Sequence, residues 1–184
     1  MSCGINLSWG RNQSIQKKTN IEKAVKRKYP EQVVLVTTAK PKGGANVMAV
    51  GWVAIASDEP LMFMLGIDGQ AYTYELIKKN KEFVIAFPNE KMAKATVLVG
   101  TRHGHNRDKI AESGLKTQPA SVVKAPLIAE AVANFECKLV DVYRPGDCPL
   151  IIGRVVAGHE NVNAGLKRLY TVGSGYKMAG VRPK

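Results

Sequence analysis

The residues able to do chemistry in this chain gather in two short stretches. The first is Asp68-Gly69-Gln70-Ala71-Tyr72-Thr73, where a glycine frees the backbone just before a predicted helix. Unpaired N–H groups and the positive dipole end of such a helix attract an anion. Tyr72 and Thr73 add hydroxyl donors in that first turn, a pattern suited to a phosphate group. On residue types alone, an ordinary loop-to-helix junction with surface hydroxyls is the plainer reading. The second stretch, Gly43-Gly44-Ala45-Asn46, leads into a strand bearing Met48 and Trp52. A bent strand entrance can offer backbone N–H and C=O groups to the polar edge of a flat ring, with an apolar face beneath it. Core packing is the plainer reading of Met48 and Trp52 as well.

Arg102, His103, His105 and Arg107 make a basic loop. A His-x-His pair can hold one metal, but no third ligand stands nearby in sequence. A solvated loop, or one touching an anionic cofactor, fits better, with Asp108 and Lys109 capping and decorating the helix that follows. His159 reads as a surface or satisfied histidine. Gly-x-Ser-x-Gly, Walker-type and Gly-x-Gly-x-x-Gly motifs are absent from the sequence.

The elements that must position these groups read as strands in hairpin spacing. Asn20 caps a short helix running to Pro30, and the β-branched run Val33–Ala39 forms a buried strand. The turn Lys40–Ala45 leads to a second strand over 46–57, with Gly51 inside it as a bulge or close approach. Leu61–Ile67 and Glu82–Phe87 are strands on either side of a helix over 71–80. Helices follow at 90–100 and around 106–113. Two long strands come near 131–143 and 150–160. This order predicts a mainly β chain with peripheral helices, mostly antiparallel, rather than a doubly wound sheet.

The length of 184 residues suits one main domain, and 45% hydrophobic with 23% charged residues excludes general disorder. No apolar run approaches the roughly 20 residues of a membrane span. The opening residues lack a secretory signal, so a cytoplasmic protein is expected. Cys3, Cys137 and Cys148 are odd in number and widely spaced, which argues against a disulfide framework or a zinc knuckle. Cys137 reads as a buried thiol. Of the formal charge of +12, residues 1–30 carry seven Lys or Arg against one Glu. Residues 154–184 carry six against one, while 31–153 are nearly balanced. The excess sits at the two ends. A basic nucleic-acid-binding module is therefore the remote alternative, and a solvated basic face on the first helix is preferred.

Several segments, in order, resemble the flavin reductase-like, FMN-binding split-barrel family of the flavoredoxin type. They are PEQVVLVTT from Pro30, Asn46 to Trp52, Ser57-Asp58-Glu59-Pro60, AYTYELIKKNKEFVIAFP from Ala71, and DKIAESGL from Asp108. APLIAEAVANFECKLVDV around Pro126, IIGRVVAGH from Ile151 and LYTVGSGYKMAG from Leu169 complete the set. The likeness runs from Tyr29 to the C-terminus, so residues 1–28 are read as a basic arm with a short helix and 29–184 as the split β-barrel domain.

The resemblance implies FMN bound near the interface of a homodimer. Asn46, Val47, Met48, Ala49 and Trp52 would lie along the ring, with Ser57 at the strand end. Gly69, Gln70, Tyr72 and Thr73 would hold the phosphate, and Pro88 and Asn89 would add ring or ribityl contacts. Many relatives carry a basic residue near Gln70, which is neutral here, and Ile110 stands where a phenylalanine is usual. NADH, NADPH or a protein electron donor would reduce the flavin, with no side-chain acid or base required. A non-enzymatic FMN-binding electron carrier is the alternative on the same fold.

Overall fold

Side chains of alternating direction build the centre of the molecule. Val34 and Val36 enter one apolar cluster while Leu35 between them enters another. Phe83, Ile85 and Phe87 face the same side as the two valines, and Val84 and Ala86 face away. That two-residue period is the mark of strands covered on both faces.

The computed structural model describes residues 15–182; Cys3 and the first 14 residues of the expected arm lie outside them. The strands are β1 (Glu31–Gln32), β2 (Val34–Ala39), β3 (Ala45–Val50), β4 (Val53–Ser57), β5 (Met62–Gly66) and β6 (Glu82–Phe87). After them come β7 (Thr117–Gln118), β8 (Leu127–Ile128), β9 (Ala133–Tyr143), β10 (Leu150–Glu160), β11 (Arg168–Gly173) and β12 (Lys177–Val181). The helices are α1 (Ile21–Val25), α2 (Tyr72–Asn80), α3 (Ala93–Thr101) and α4 (Lys109–Ser113), with a 3-10 turn at Glu90–Met92.

Seven strands form one antiparallel sheet in the order β3-β2-β6-β9-β10-β5-β4. Its two edges, β3 and β4, are separated in the chain by Gly51 and Trp52 alone. Two residues can join opposite edges only if the sheet curls until its margins meet. The result is the expected split barrel, mostly antiparallel with peripheral helices. Inside the curl, Phe63, Phe87 and Phe135 pack with ring centroids 5.2 to 6.1 Å apart. Tyr74 and Ile77 of α2 join that interior cluster. On the outer face, Leu35, Val47 and Ala86 pack with Met92, Val99 and Leu115 from the α3–α4 region. A small sheet, β1-β11-β12, completes the chain.

Two expectations are corrected. The strand over 46–57 is two strands on opposite sheet edges, because Gly51 marks a corner instead of a bulge within one strand. The first helix stops at Val25, short of Pro30; Asn20 does cap it, accepting from Glu22 N–H at 2.7 Å. None of its residues is buried, and a single helical turn without packing does not propagate. The hairpin β11–β12, turned through Gly175 and Tyr176, had no clear alternation to announce it. No helix among the described residues is long and apolar enough to cross a membrane.

Candidate functional site

Helix α2 starts where the Asp68 turn delivers it. Asp68 accepts from Gln70 N–H through Oδ1 and from Ala71 N–H through its carbonyl, both at 2.9 Å. The cap residue is Ala71, which has no side chain to accept from the first-turn N–H groups. The positive end of a nine-residue helix therefore lacks a side-chain acceptor of its own. Thr73 is buried in this turn, where its Oγ accepts from Asn46 Nδ2 at 2.8 Å. That geometry leaves the Thr73 hydroxyl hydrogen available to a ligand. Asn46 comes from the start of β3 and is 2% exposed, yet its Oδ1 has no hydrogen-bond partner among the described residues. Because β3 is a sheet edge bonded only to β2, its outward backbone groups are also left for another partner.

These groups line a cavity of about 230 Å³ with Met48, Gln70 and Tyr72 on one side. The end of α3 and the loop after it, including Arg102, His103 and Gly104, line the same cavity. The loop is held tightly against the strand. A Cβ at Gly104 would run into Asn46 Oδ1 and stand 3.3 Å from the Tyr72 ring, so only glycine permits this approach. The His105 ring packs on Tyr72 with centroids 4.5 Å apart, and its Nε2 lies 3.8 Å from Glu75. Lys40 Nζ donates to the carbonyl of Arg107 at 2.9 Å. Lys109 Nζ donates to the carbonyls of Val99 and Arg102 at 2.9 and 3.0 Å.

Lys109 is the residue that sequence reasoning misplaced. Asp108 caps α4 as expected, accepting from Ala111 N–H at 3.1 Å. Lys109 turns inward instead of decorating the helix and is 4% exposed. Burial pushes its ammonium down to about 8, helped by Lys40 and opposed by Glu112. Nothing in the local pattern announced this, since a lysine in the first turn of a short helix normally faces solvent. Gly104 was equally silent, since its close approach to Asn46 is set by where the loop is packed.

Of the residues expected to bind, Asn46, Met48, Gln70, Tyr72 and Thr73 are brought together here. The others lie elsewhere. Val47 packs outward under α3, and Ala49 lines a neighbouring cavity of about 390 Å³ with Tyr29, Thr96 and Tyr176. Trp52 is 58% exposed in an apolar groove beside Met64 and Tyr170. Ser57 ends β4, outside this cavity, and Gly69 sits against Pro149 at the mouth of an adjoining groove. Pro88 accepts from Leu169 N–H through its carbonyl. Asn89 caps the 3-10 turn and donates to the carbonyl of Glu130 at 2.6 Å.

A second buried charge lies away from this cavity. Glu136 on β9 is completely buried. Its carboxylate accepts from Ser121 N–H and Oγ–H, from Val122 and Val123 N–H, and from His159 Nε2, at 2.6 to 2.9 Å. His159 is thus a satisfied histidine. Burial would raise the Glu136 carboxyl, but the bonds from Ser121, His159 and Val122 outweigh it and hold it at about 2. Cys137 beside it is buried, and its thiol is pushed up to about 12 by burial and then by Glu136. Among the described residues no three His, Cys, Asp or Glu side chains are grouped to hold a metal ion.

The chain was compared with known proteins. An uncharacterized protein of Pyrococcus abyssi is 38% identical over 129 residues, covering 70% of this chain and 73% of its own length. The structure of flavoredoxin from Methanosarcina acetivorans superposes with a TM-score of 0.77 at 27% identity, covering 92% of each chain. The NADH:FAD oxidoreductase SgcE6 of Streptomyces globisporus gives 0.76 at 18% identity, covering 91% of this chain and 99% of its own. That last likeness bears on fold alone. The family profile described as flavin reductase like domain matches residues 26–179, and the chain belongs to that family.

Proposed function

We propose that this protein binds FMN and works as an oxidoreductase, taking electrons from NADH, NADPH or a protein donor. One observation carries the reading: the uncapped start of α2 meets the buried Asn46–Thr73 pair beneath a wall bearing Arg102, His103 and Lys109. An oxygen without a partner, a hydroxyl with a hydrogen to give and a positive helix end together ask for a polar, anionic ligand. The residues present therefore fit a phosphorylated flavin.

Bound FMN supplies the capacity to accept and pass on hydride or single electrons. The chain's own part is to bind, orient and shield. Thr73 and the first-turn N–H groups of α2 would hold the phosphate, while Asn46 Oδ1 would accept from a polar donor of the ligand. The free edge of β3 offers backbone donors and acceptors beside them. Gly104 packs against Asn46 and brings the loop after α3 onto the strand. A cavity of about 230 Å³ is smaller than the roughly 300–1,000 Å³ of sites that enclose a whole ligand of this size. A homodimer completes the enclosure in this proposal, with Trp52 and Ile55, 58% and 65% exposed on the β4 side, as candidates for the covered surface.

The test is visible absorbance of the purified native protein before and after adding FMN, or FAD in a parallel sample, and removing the excess. A retained flavin spectrum that bleaches with NADH or NADPH supports the enzyme. Retained flavin that neither nicotinamide reduces makes the protein an electron carrier. A colourless protein that ignores FMN and FAD would falsify the flavin assignment.

A further inference from the structure

The two basic ends of the chain meet in the fold. Between residues 15 and 28 stand Lys17, Lys18, Lys23, Lys26, Arg27 and Lys28, all exposed, against the single acid Glu22. Among the described residues only Lys28 of these six forms an ion pair, with Glu31. Ile21 and Val25, one helical turn apart on α1, are 85% and 51% exposed, so an apolar edge stands uncovered among the charges. The arm runs into Tyr29 and then β1, which pairs with β11 of the C-terminal hairpin. Tyr29 and Tyr176 of that hairpin line one cavity with Ala49, and Lys177 is exposed beside Tyr176. Gly100 lines both this cavity and the one that holds Asn46 and Thr73. The basic surface therefore borders the candidate flavin site.

We propose that this surface docks a small acidic one-electron carrier protein, which delivers electrons to the bound flavin. The proposal rests on the flavin reading above and goes beyond it by naming the donor's chemistry and its landing surface. Each docking passes one electron and oxidises the carrier's redox centre. Two dockings supply the two electrons of a full flavin reduction, with the protons taken from water. Clustered charge around a small apolar edge suits a weak, fast encounter. Long-range attraction raises the association rate, and the apolar contact aligns the pair.

Three other occupants fit the surface less well. A second copy carries the same net charge of +12, so the arm of one chain repels the body of the other. A nucleic acid would use stacking rings and arginine forks. Residues 15–28 hold no aromatic residue and, besides lysines, Arg27 alone, while Ile21 and Val25 find no partner on a phosphate backbone. An anionic membrane would be met by a broad apolar face, and α1 offers two apolar side chains larger than alanine.

The experiment uses the FMN-treated full chain, with a plant-type ferredoxin as the acidic probe. Two quantities are measured at about 0.02 and 0.5 M salt. They are the binding of the oxidised probe, which needs no flavin, and the rate at which the stoichiometrically reduced probe bleaches the flavin. The comparison is a variant carrying Lys17→Glu, Lys18→Glu, Lys23→Glu and Lys26→Glu, all at exposed positions of the arm. Equal FMN retention shows that the variant is folded. At low salt the unmodified protein should bind the probe and bleach fast, and charge reversal or high salt should lower both by about tenfold or more. A variant that binds and bleaches as well as the unmodified protein, or rates that ignore salt, would overturn the docking surface and leave the flavin reading intact. So would a surface that captures single-stranded RNA or anionic vesicles and does not respond to the probe. Binding without bleaching would overturn the partner's role as electron donor. Failure to retain any flavin would remove the flavin reading, and the carrier's role with it.

Discussion

Glu136 and Lys109, two of the buried charges among the described residues, are both held by backbone groups, and they are held very differently. Glu136 receives Ser121 N–H and Oγ–H, Val122 N–H, Val123 N–H and His159, so its two oxygens are saturated. Lys109 has two carbonyls, no ion pair and a cavity beside it that also contains the unpartnered Asn46 Oδ1. A saturated cluster fixes one conformation and needs nothing from outside. An unsaturated one in a cavity is a place where a further partner lowers the free energy. Burial and perturbed titration alone would have ranked both as site candidates; the count of partners separates them.

The largest effect is expected where saturation is complete. Glu136→Gln keeps the shape but turns one acceptor oxygen into a donor facing N–H groups. The Glu136 carboxyl lies near 2 in the fold against an ordinary 4.5, and its linked contribution is on the order of 3 kcal/mol at neutral pH. Since the folded value is depressed, that stability is present above 4.5 and lost as pH falls toward 2. Denaturant midpoints should therefore differ strongly between the two proteins at pH 7 and converge between pH 4.5 and 2. A gap that stays constant with pH would show that the Ser121–Val123 segment depends on shape, not on charge. Flavin affinity measured well below denaturation should change little.

The cavity predicts the reverse pattern, with modest stability effects and larger ligand effects. Gly104→Ala places a methyl group on Asn46 Oδ1 and must push the Arg102–His105 loop off the strand. Overpacking of this kind costs about 1–3 kcal/mol, expected here mainly as weaker FMN binding because the loop can move toward solvent. Asn46→Ala and Thr73→Ala each remove one member of the buried pair and should weaken FMN binding by about 1–3 kcal/mol. Isothermal titration would check all three. If Asn46→Ala and Thr73→Ala leave affinity unchanged, the ligand does not reach the α2 start, and the contrast between the two clusters loses its functional half.

The sequence disclosed the saturated parts of the fold better than the unsaturated ones. Val34–Ala39 and Glu82–Phe87 are apolar and β-branched or aromatic, and their strands are where the pattern put them. The Tyr72 helix start and the Asn46 strand entrance were legible because glycine, hydroxyl and turn residues sit there in a recognisable order. The corner at Gly51 was not, since a strand that changes sheet edge and a strand with a bulge share one local pattern. Lys109 was hidden for a related reason. Its role depends on the carbonyls of Val99 and Arg102, and no local periodicity reports where a chain brings a helix end back. Trp52 and Asn89 lie outside this cavity, in an apolar groove and at the cap of a 3-10 turn, positions that depend on tertiary packing and that no local pattern reports.

The smallest effect concerns Gln70, a neutral residue that lines the cavity two residues before α2. Gln70→Lys adds a cation at the positive end of a helix, so the unliganded protein should lose a few tenths of a kcal/mol. With a phosphate present the balance reverses. A partly exposed added charge contributes about 0.5–1 kcal/mol, so FMN affinity should rise roughly two- to fivefold at low salt, and riboflavin affinity should not change. High salt should erase the gain, because an exposed charge is screened within a few ångström at about 1 M while Lys109 is shielded by burial. Comparing Gln70→Lys with Thr73→Ala sharpens the map of the site. If Gln70→Lys strengthens FMN by more than Thr73→Ala weakens it, the phosphate lies against the Asp68 turn, and the Thr73 hydroxyl contributes little to holding it.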